Sequence, residues 1–203
     1  MTSPLEIITL TFSKDNPYNT TITDASGQVL YVVHTQSGKN ASTTRVFEGT
    51  SDTVAAQLTW SDTGLTLAKV TVRGGREVLM SAWMSKSRIP FNDSAAFKDE
   101  NGRQYKWKGL AAGRALELYT KDDGYKQPIA GFHKSVTDRR QSPPTVTPAT
   151  LRLAPRADEI RELMVCSFLF LAIEKLSKEK GFGNLQNRMT GGQLGMITTG
   201  SAM

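Results

Sequence analysis

DEIRELMVCSFLFLAIEKLSKEK, running from Asp158 to Lys180, contains neither proline nor glycine. Pro155 suits a helix start, Asp158 and Glu159 its first turn, Lys178 and Lys180 its last, and Gly181 its stop. A helix is therefore expected over about residues 156–180. Between Leu163 and Ile173 every residue except Ser167 is apolar, so this helix has no wet face. Such a helix has to be enclosed. A bilayer span takes roughly 20 consecutive apolar residues. Here the run is eleven residues, bounded by Arg161-Glu162 and Glu174-Lys175, so no transmembrane span is expected. A partner's groove ordinarily takes a single apolar stripe. A sheet curled around the helix covers every side at once, and that is the expectation.

Upstream of the helix, the chain reads as short strands separated by turns. Ile8, Leu10 and Phe12 alternate with Thr9 and Thr11, the pattern of a half-buried strand. Asn19–Thr23 and Gln28–Thr35 flank Asp24-Ala25-Ser26-Gly27, a connection that suits a hairpin. Arg45–Glu48, Val54–Trp60 and Leu65–Val72 follow, and Gly74-Gly75 leads into Glu77–Met84. Asn101-Gly102 is a strong hairpin dipeptide between Ala95–Lys98 and Arg103–Lys108. Asp122-Asp123-Gly124 turns Arg114–Thr120 into Tyr125–His133. Gln141–Pro148 holds Pro143, Pro144 and Pro148 and reads as a surface loop, before Leu151 and Leu153 mark a last short strand. Strands at this spacing favour a closed or sandwiched β structure. The expected fold is mainly β: a closed β-barrel of about twelve strands around a buried apolar C-terminal helix. One domain covers residues 1–180. The Gly-rich residues 181–203 lack strand or helix periodicity and are expected to form a flexible tail.

Charge is distributed unevenly. Residues 1–100 carry nine Lys/Arg against ten Asp/Glu, whereas residues 101–161 carry twelve against six. The net charge of +6 thus comes largely from one segment, which motivates the hypothesis of a local acidic partner beside the plain reading of a soluble basic protein. Cys166 is the only cysteine, which rules out an intrachain disulfide. The start MTSPLEIITLTF has no basic region followed by an apolar core, so no ordinary secretory signal is expected. The expected location is cytoplasmic, peripheral to membranes.

About twelve strands followed by a wholly apolar helix resembles the tubby C-terminal-like superfamily, which includes the phospholipid scramblases and the LURP-one-related proteins. More closely, the chain resembles an uncharacterised domain family of mushroom-forming fungi. Leu10-Thr11-Phe12, Asn19–Asp24, Val29-Leu30-Tyr31, Tyr105–Gly109, Leu116-Glu117-Leu118 and the helix Asp158–Ile173 carry the likeness, which covers roughly residues 5–178. It implies a twelve-stranded barrel around a central helix, with no enzyme mechanism and no cofactor. Tubby domains bind phosphoinositide head groups through basic residues, but no motif here maps onto those residues one by one. Scramblase-like proteins carry cysteine clusters and a metal-binding acidic segment. This chain has neither, and scrambling is not expected.

The basic segment supplies the candidate site. Lys106 and Lys108 share one face of a strand, with Tyr105 and Trp107 on the opposite, inner face. Lys126 and Lys134 are expected to share a side of the next hairpin, with Arg139, Arg140 and Arg152 nearby in sequence. These seven could form a surface for phosphate-bearing head groups, each worth about 1 kcal/mol beside an anionic membrane. The competing reading is an ordinary solvated outer face. Nucleic acid fits less well, because alternation sends the rings away from the lysines that would accompany base stacking.

His34 and His133 are far apart in sequence and lack neighbours at metal-ligand spacing, so no metal site is expected. No G-x-S-x-G elbow or phosphate loop is present, and no catalytic residue is nominated. The expectation is a non-enzymatic binding module for anionic lipid or a membrane surface. A protein-interaction or structural module is the alternative, and an enzyme with a spatially assembled site stands third.

Overall fold

The computed structural model describes residues 7–61, 64–87, 93–140 and 142–180. Residues 1–6 and the expected tail, 181–203, lie outside them. The first half contains β1 (Ile8–Phe12), β2 (Thr20–Thr23), β3 (Val29–Ser37), β4 (Ala41–Glu48), β5 (Val54–Ser61), β6 (Gly64–Val72) and β7 (Val78–Leu79). A single helical turn, α1 (Met80–Trp83), leads to β8 (Ser85–Lys86), β9 (Ser94–Lys98), β10 (Gln104–Lys108), β11 (Glu117–Thr120) and β12 (Pro128–His133). Then come β13 (Val136–Asp138), β14 (Thr145–Thr147), β15 (Thr150–Leu153), the short helix α2 (Pro155–Asp158) and the long helix α3 (Arg161–Lys180).

Thirteen strands form one antiparallel sheet, in the order β7-β6-β5-β4-β3-β2-β1-β15-β12-β11-β10-β9-β8. It consists of two meanders. One runs from β1 out to β7, the other from β12 back to β8, and β15 pairs with both β1 and β12 to join them. The strands follow the alternation in the sequence: β10 buries Tyr105 and Trp107 and leaves Lys106 and Lys108 on the outside. At two places where neighbours are both buried, the register shifts. Ile129 and Ala130 lie opposite such an irregularity at Leu118/Tyr119, and Ala55 and Ala56 opposite one at Val46/Phe47.

Barrel closure is the main correction to the sequence reading. β7 and β8 are the two edges of the sheet, and among the described residues no backbone ladder joins them. Glu77–Met84, read as one strand, is instead the dipeptide strand β7 followed by α1, and β8 begins beyond it at Ser85. The N–H of Met84 donates to the Met80 carbonyl at 2.8 Å, closing a helical turn that carries the chain from one sheet edge to the other. Met80 and Met84 drop into the core, and Trp83 packs against Phe97 and Phe170. Lys86, on edge strand β8, reaches Glu174 of α3 at 2.6 Å, tying that edge to the helix. Two further departures are local. Thr145–Thr147, inside the expected proline-rich loop, pairs with β13 as a two-stranded ribbon apart from the main sheet, while Gln141 of that loop lies outside the described residues. The expected single helix is broken after Asp158, and α3 starts at Arg161.

The helix itself is enclosed. Met164 through Leu171 are eight consecutive residues, none more than 2% exposed. Successive side chains leave a helix about 100° apart, so eight in a row sample every direction around it. Phe168 meets Phe12 of β1, Trp107 of β10 and Phe132 of β12 at ring-centroid distances of 5.7, 5.9 and 4.7 Å. No helix among the described residues is long and apolar enough to cross a membrane.

Candidate functional site

The seven basic residues named from the sequence do not form one cluster. Three share one outer face, that of β15 and the second meander. In the cross-strand register Lys108 lies opposite Glu117, Glu117 opposite Gly131, Gly131 opposite Arg152, and Arg152 opposite Thr9. Directly opposed residues point to the same side of a sheet, so Lys108 and Arg152 stand in one row, about 14 Å apart at the usual strand spacing. Lys106 lies two residues along from Lys108 on the same face. Between them, Gly131 leaves a gap: a Cβ there would meet nothing within 4 Å.

The lysines are held by aromatic rings. Lys106 Nζ lies 4.1 Å from the centroid of Tyr125 and Lys108 Nζ 3.7 Å from that of Tyr119. Lys108 also donates to the Tyr125 carbonyl at 3.0 Å. The Tyr119 hydroxyl donates to Glu117 Oε2 at 2.7 Å. Burial, with that bond and the Glu117 charge, pushes the Tyr119 phenol up to about 12, so it stays a neutral donor.

The other four candidates lie elsewhere. Lys126 and Lys134 do not share a hairpin side, because β12 spans only Pro128–His133 and both fall outside it. Asp123 is responsible for the first displacement: its carboxylate accepts from the N–H groups of Lys126 and Gln127, which prolongs the turn past Lys126. Arg139 and Arg140 are exposed after β13, at the end of the ribbon. Lys134 lines a cavity.

That cavity, about 880 Å³, sits beside the C-terminal half of α3. Phe12, Phe132 and Phe168, packed ring against ring, lie at its floor. Half-buried Ala172 and Leu176 of α3 form an apolar wall, and Lys14, Arg114 and Lys134 are exposed around the mouth. Lys175 also lines it, but its ammonium donates to the carbonyls of Gly109, Ala111 and Arg114 at 2.7, 2.6 and 2.5 Å. Partial burial holds its pKa below the usual lysine range. The loop that Lys175 clamps depends on Gly109, whose φ is +84° and whose Cβ would lie 1.8 Å from the Ala115 carbonyl oxygen. Lys14, Arg114 and Lys175 escaped the sequence reading because the lining comes from four separate segments with no common spacing.

A second cavity, about 670 Å³, lies at the N-terminal end of α3 and differs in electrostatics. There the arginines are matched. Arg73 bonds Glu162 at 2.6 Å and Glu100 at 3.0 Å, Arg103 bonds Asp99 at 2.5 Å, and Arg161 bonds Asp158 at 2.5 Å. Burial alone would raise the Asp99 carboxyl, but the Arg103 side chain and the backbone N–H groups of Arg103 and Asn101 hold it below the usual carboxylate range. Among the described residues no group of three metal-ligating side chains converges.

Residues 15–179 match the profile of a family described as "Family of unknown function (DUF6593)". No curated protein matches the chain. Among solved structures, the X-ray structure of a protein from Arabidopsis thaliana aligns with 80% of this chain and 90% of its own, at 15% identity and a TM-score of 0.43. The profile extends from the connection after β1 to the last turn of α3, and the chain therefore belongs to the DUF6593 family.

Proposed function

We propose that the chain is a non-enzymatic binding module for anionic phospholipid head groups, engaged peripherally by the outer face of β10, β11, β12 and β15. One contrast carries this reading. Arg73, Arg103, Arg156 and Arg161 are each paired with carboxylates, whereas Lys106, Lys108 and Arg152 have no carboxylate partner among the described residues. Glu117 stands in the same row, but its carboxylate accepts from Tyr119 and holds none of the three cations, so the face keeps a positive surplus that an external anion relieves. The gap over Gly131 gives a head group room to approach the sheet between Lys108 and Arg152. The tubby-like kinship expected from the sequence belongs to the same proposal, supported by a helix buried on all sides within an antiparallel sheet.

Flotation with vesicles tests the reading. At about 1 kcal/mol per basic residue near an anionic surface, Lys106→Glu with Lys108→Glu lowers partitioning onto phosphoinositide-containing vesicles by about 30-fold or more. High salt weakens wild-type binding in the same direction. Equal recovery of wild type with neutral and phosphoinositide vesicles at low salt would remove the proposal.

A further inference from the structure

We propose that the cavity beside the C-terminal half of α3 is a second, separate site, which takes a single-chain anionic amphiphile. One acyl chain lies along Phe132, Ala172 and Leu176, and its anionic head meets Lys14, Arg114 and Lys134.

The inference starts from where the enclosure of α3 ends. Residues 164–171 are sealed on every side, but Ala172 and Leu176, equally apolar, are only half-buried and both face the cavity. Apolar surface left open in a concavity is the ordinary wall of a small-molecule site, and about 880 Å³ falls within the range of such sites. Below that wall the Phe12, Phe132 and Phe168 cluster gives a floor of rings and no hydrogen-bonding group, which suits a hydrocarbon chain.

Charge at the mouth selects the head. The lining holds Lys14, Arg114, Lys134 and Lys175 against Asp15 and Glu179. Asp15 is engaged by Ser135, whose N–H and hydroxyl donate to its carboxylate at 3.3 and 3.2 Å. Lys175 is engaged by three carbonyls. Lys14, Arg114 and Lys134 have no ion-pair partner among the described residues, and a carboxylate or phosphate at the mouth would supply one. The cavity at the other end of α3 lacks this property, because its arginines already hold carboxylates. None of Lys106, Lys108 and Arg152 lines the cavity, so the site is independent of the outer face.

Displacement of a fluorescent fatty acid from the full-length protein tests the proposal, with oleate, oleoyl lysophosphatidate, oleyl alcohol and inorganic phosphate as competitors below their aggregation concentrations. Oleate and lysophosphatidate are expected to displace the probe, and their ranking separates a carboxylate source from a phosphate source. Oleyl alcohol is expected to compete about tenfold less well, a difference of about one charge-assisted contact, and inorganic phosphate not at all. Lys14→Glu with Lys134→Glu, both at exposed positions, should weaken oleate about tenfold and leave oleyl alcohol unchanged. Ala172→Phe fills the wall and should abolish binding of both. If that variant fails to fold, the charge reversal and the neutral competitor carry the test alone. Failure of oleate to displace the probe, or a folded Ala172→Phe protein that binds as wild type, overturns the proposal. So does a loss of oleate binding in the Lys106→Glu, Lys108→Glu protein, which would move the site to the outer face.

Discussion

Ser167 interrupts the apolar run of α3, and its partner lies sixty residues upstream. Its hydroxyl donates to the Met164 carbonyl at 2.9 Å and accepts from the indole N–H of Trp107 at the same distance. Trp107 is fully buried, so its N–H has no other route to an acceptor. One side chain thus serves both the helix and the wall that faces it. Ser167→Ala leaves the indole N–H without an acceptor, and urea unfolding should show a loss of about 1–3 kcal/mol. A change near zero would mean that the helix does not meet β10 in this way. Sequence reading placed both residues correctly, Trp107 inward on its strand and Ser167 on an all-apolar helix. Their pairing was not legible, because a hydrogen bond across a sheet-to-helix interface leaves no spacing signal in the chain.

At the scale of elements, the legible features were those with a local cause. The alternation of β10, the hairpin at Asn101-Gly102 and the start of a helix at Pro155 each follow from neighbouring residues. At Asn101-Gly102, Gly102 takes φ +75° and the Asp99 carboxylate accepts from the N–H groups of Asn101 and Arg103. α1 and the ribbon β13–β14 were hidden for different reasons. Glu77–Met84 carries apolar residues at a spacing that a strand or a helical turn satisfies equally. Thr145–Thr147 is exposed throughout, so it has no buried alternation to betray it. β15 was seen as a short strand, but its position as the link between the meanders depends on tertiary pairing. That position makes it sensitive. Arg152→Pro removes a ladder donor from a strand paired on both sides and should cost about 3 kcal/mol or more, whereas Arg152→Ala, at an exposed side chain, should stay within about 0.5 kcal/mol. Similar melting temperatures for the two variants would contradict the pairing of β15 with both meanders.

At the scale of the molecule, one long sheet curls round one helix and the two ends of that helix differ. At its start, arginines and carboxylates from the end of β6, the β9–β10 turn, α2 and α3 neutralise one another. Exposed pairs of this kind add little stability, so their effect is to leave no net charge free there. At its far end the cations outnumber their partners and the wall stays apolar. Legibility divides in the same way. The enclosed helix followed from eleven residues of sequence, whereas the cavity follows from four distant segments and could be found only in three dimensions. The binding readings all depend on the enclosure, since both the outer face and the cavity are defined by the sheet that provides it.

Cys166 offers the direct test. It is the only cysteine in the chain, it lies in the middle of the sealed stretch, and burial pushes its thiol pKa up. Thiol modification by a disulfide reagent in native buffer should proceed only as fast as the protein unfolds globally, and should become immediate in denaturant. Modification at the rate of an exposed thiol, with circular dichroism unchanged, would show that the helix is open to solvent and that the sheet does not enclose it.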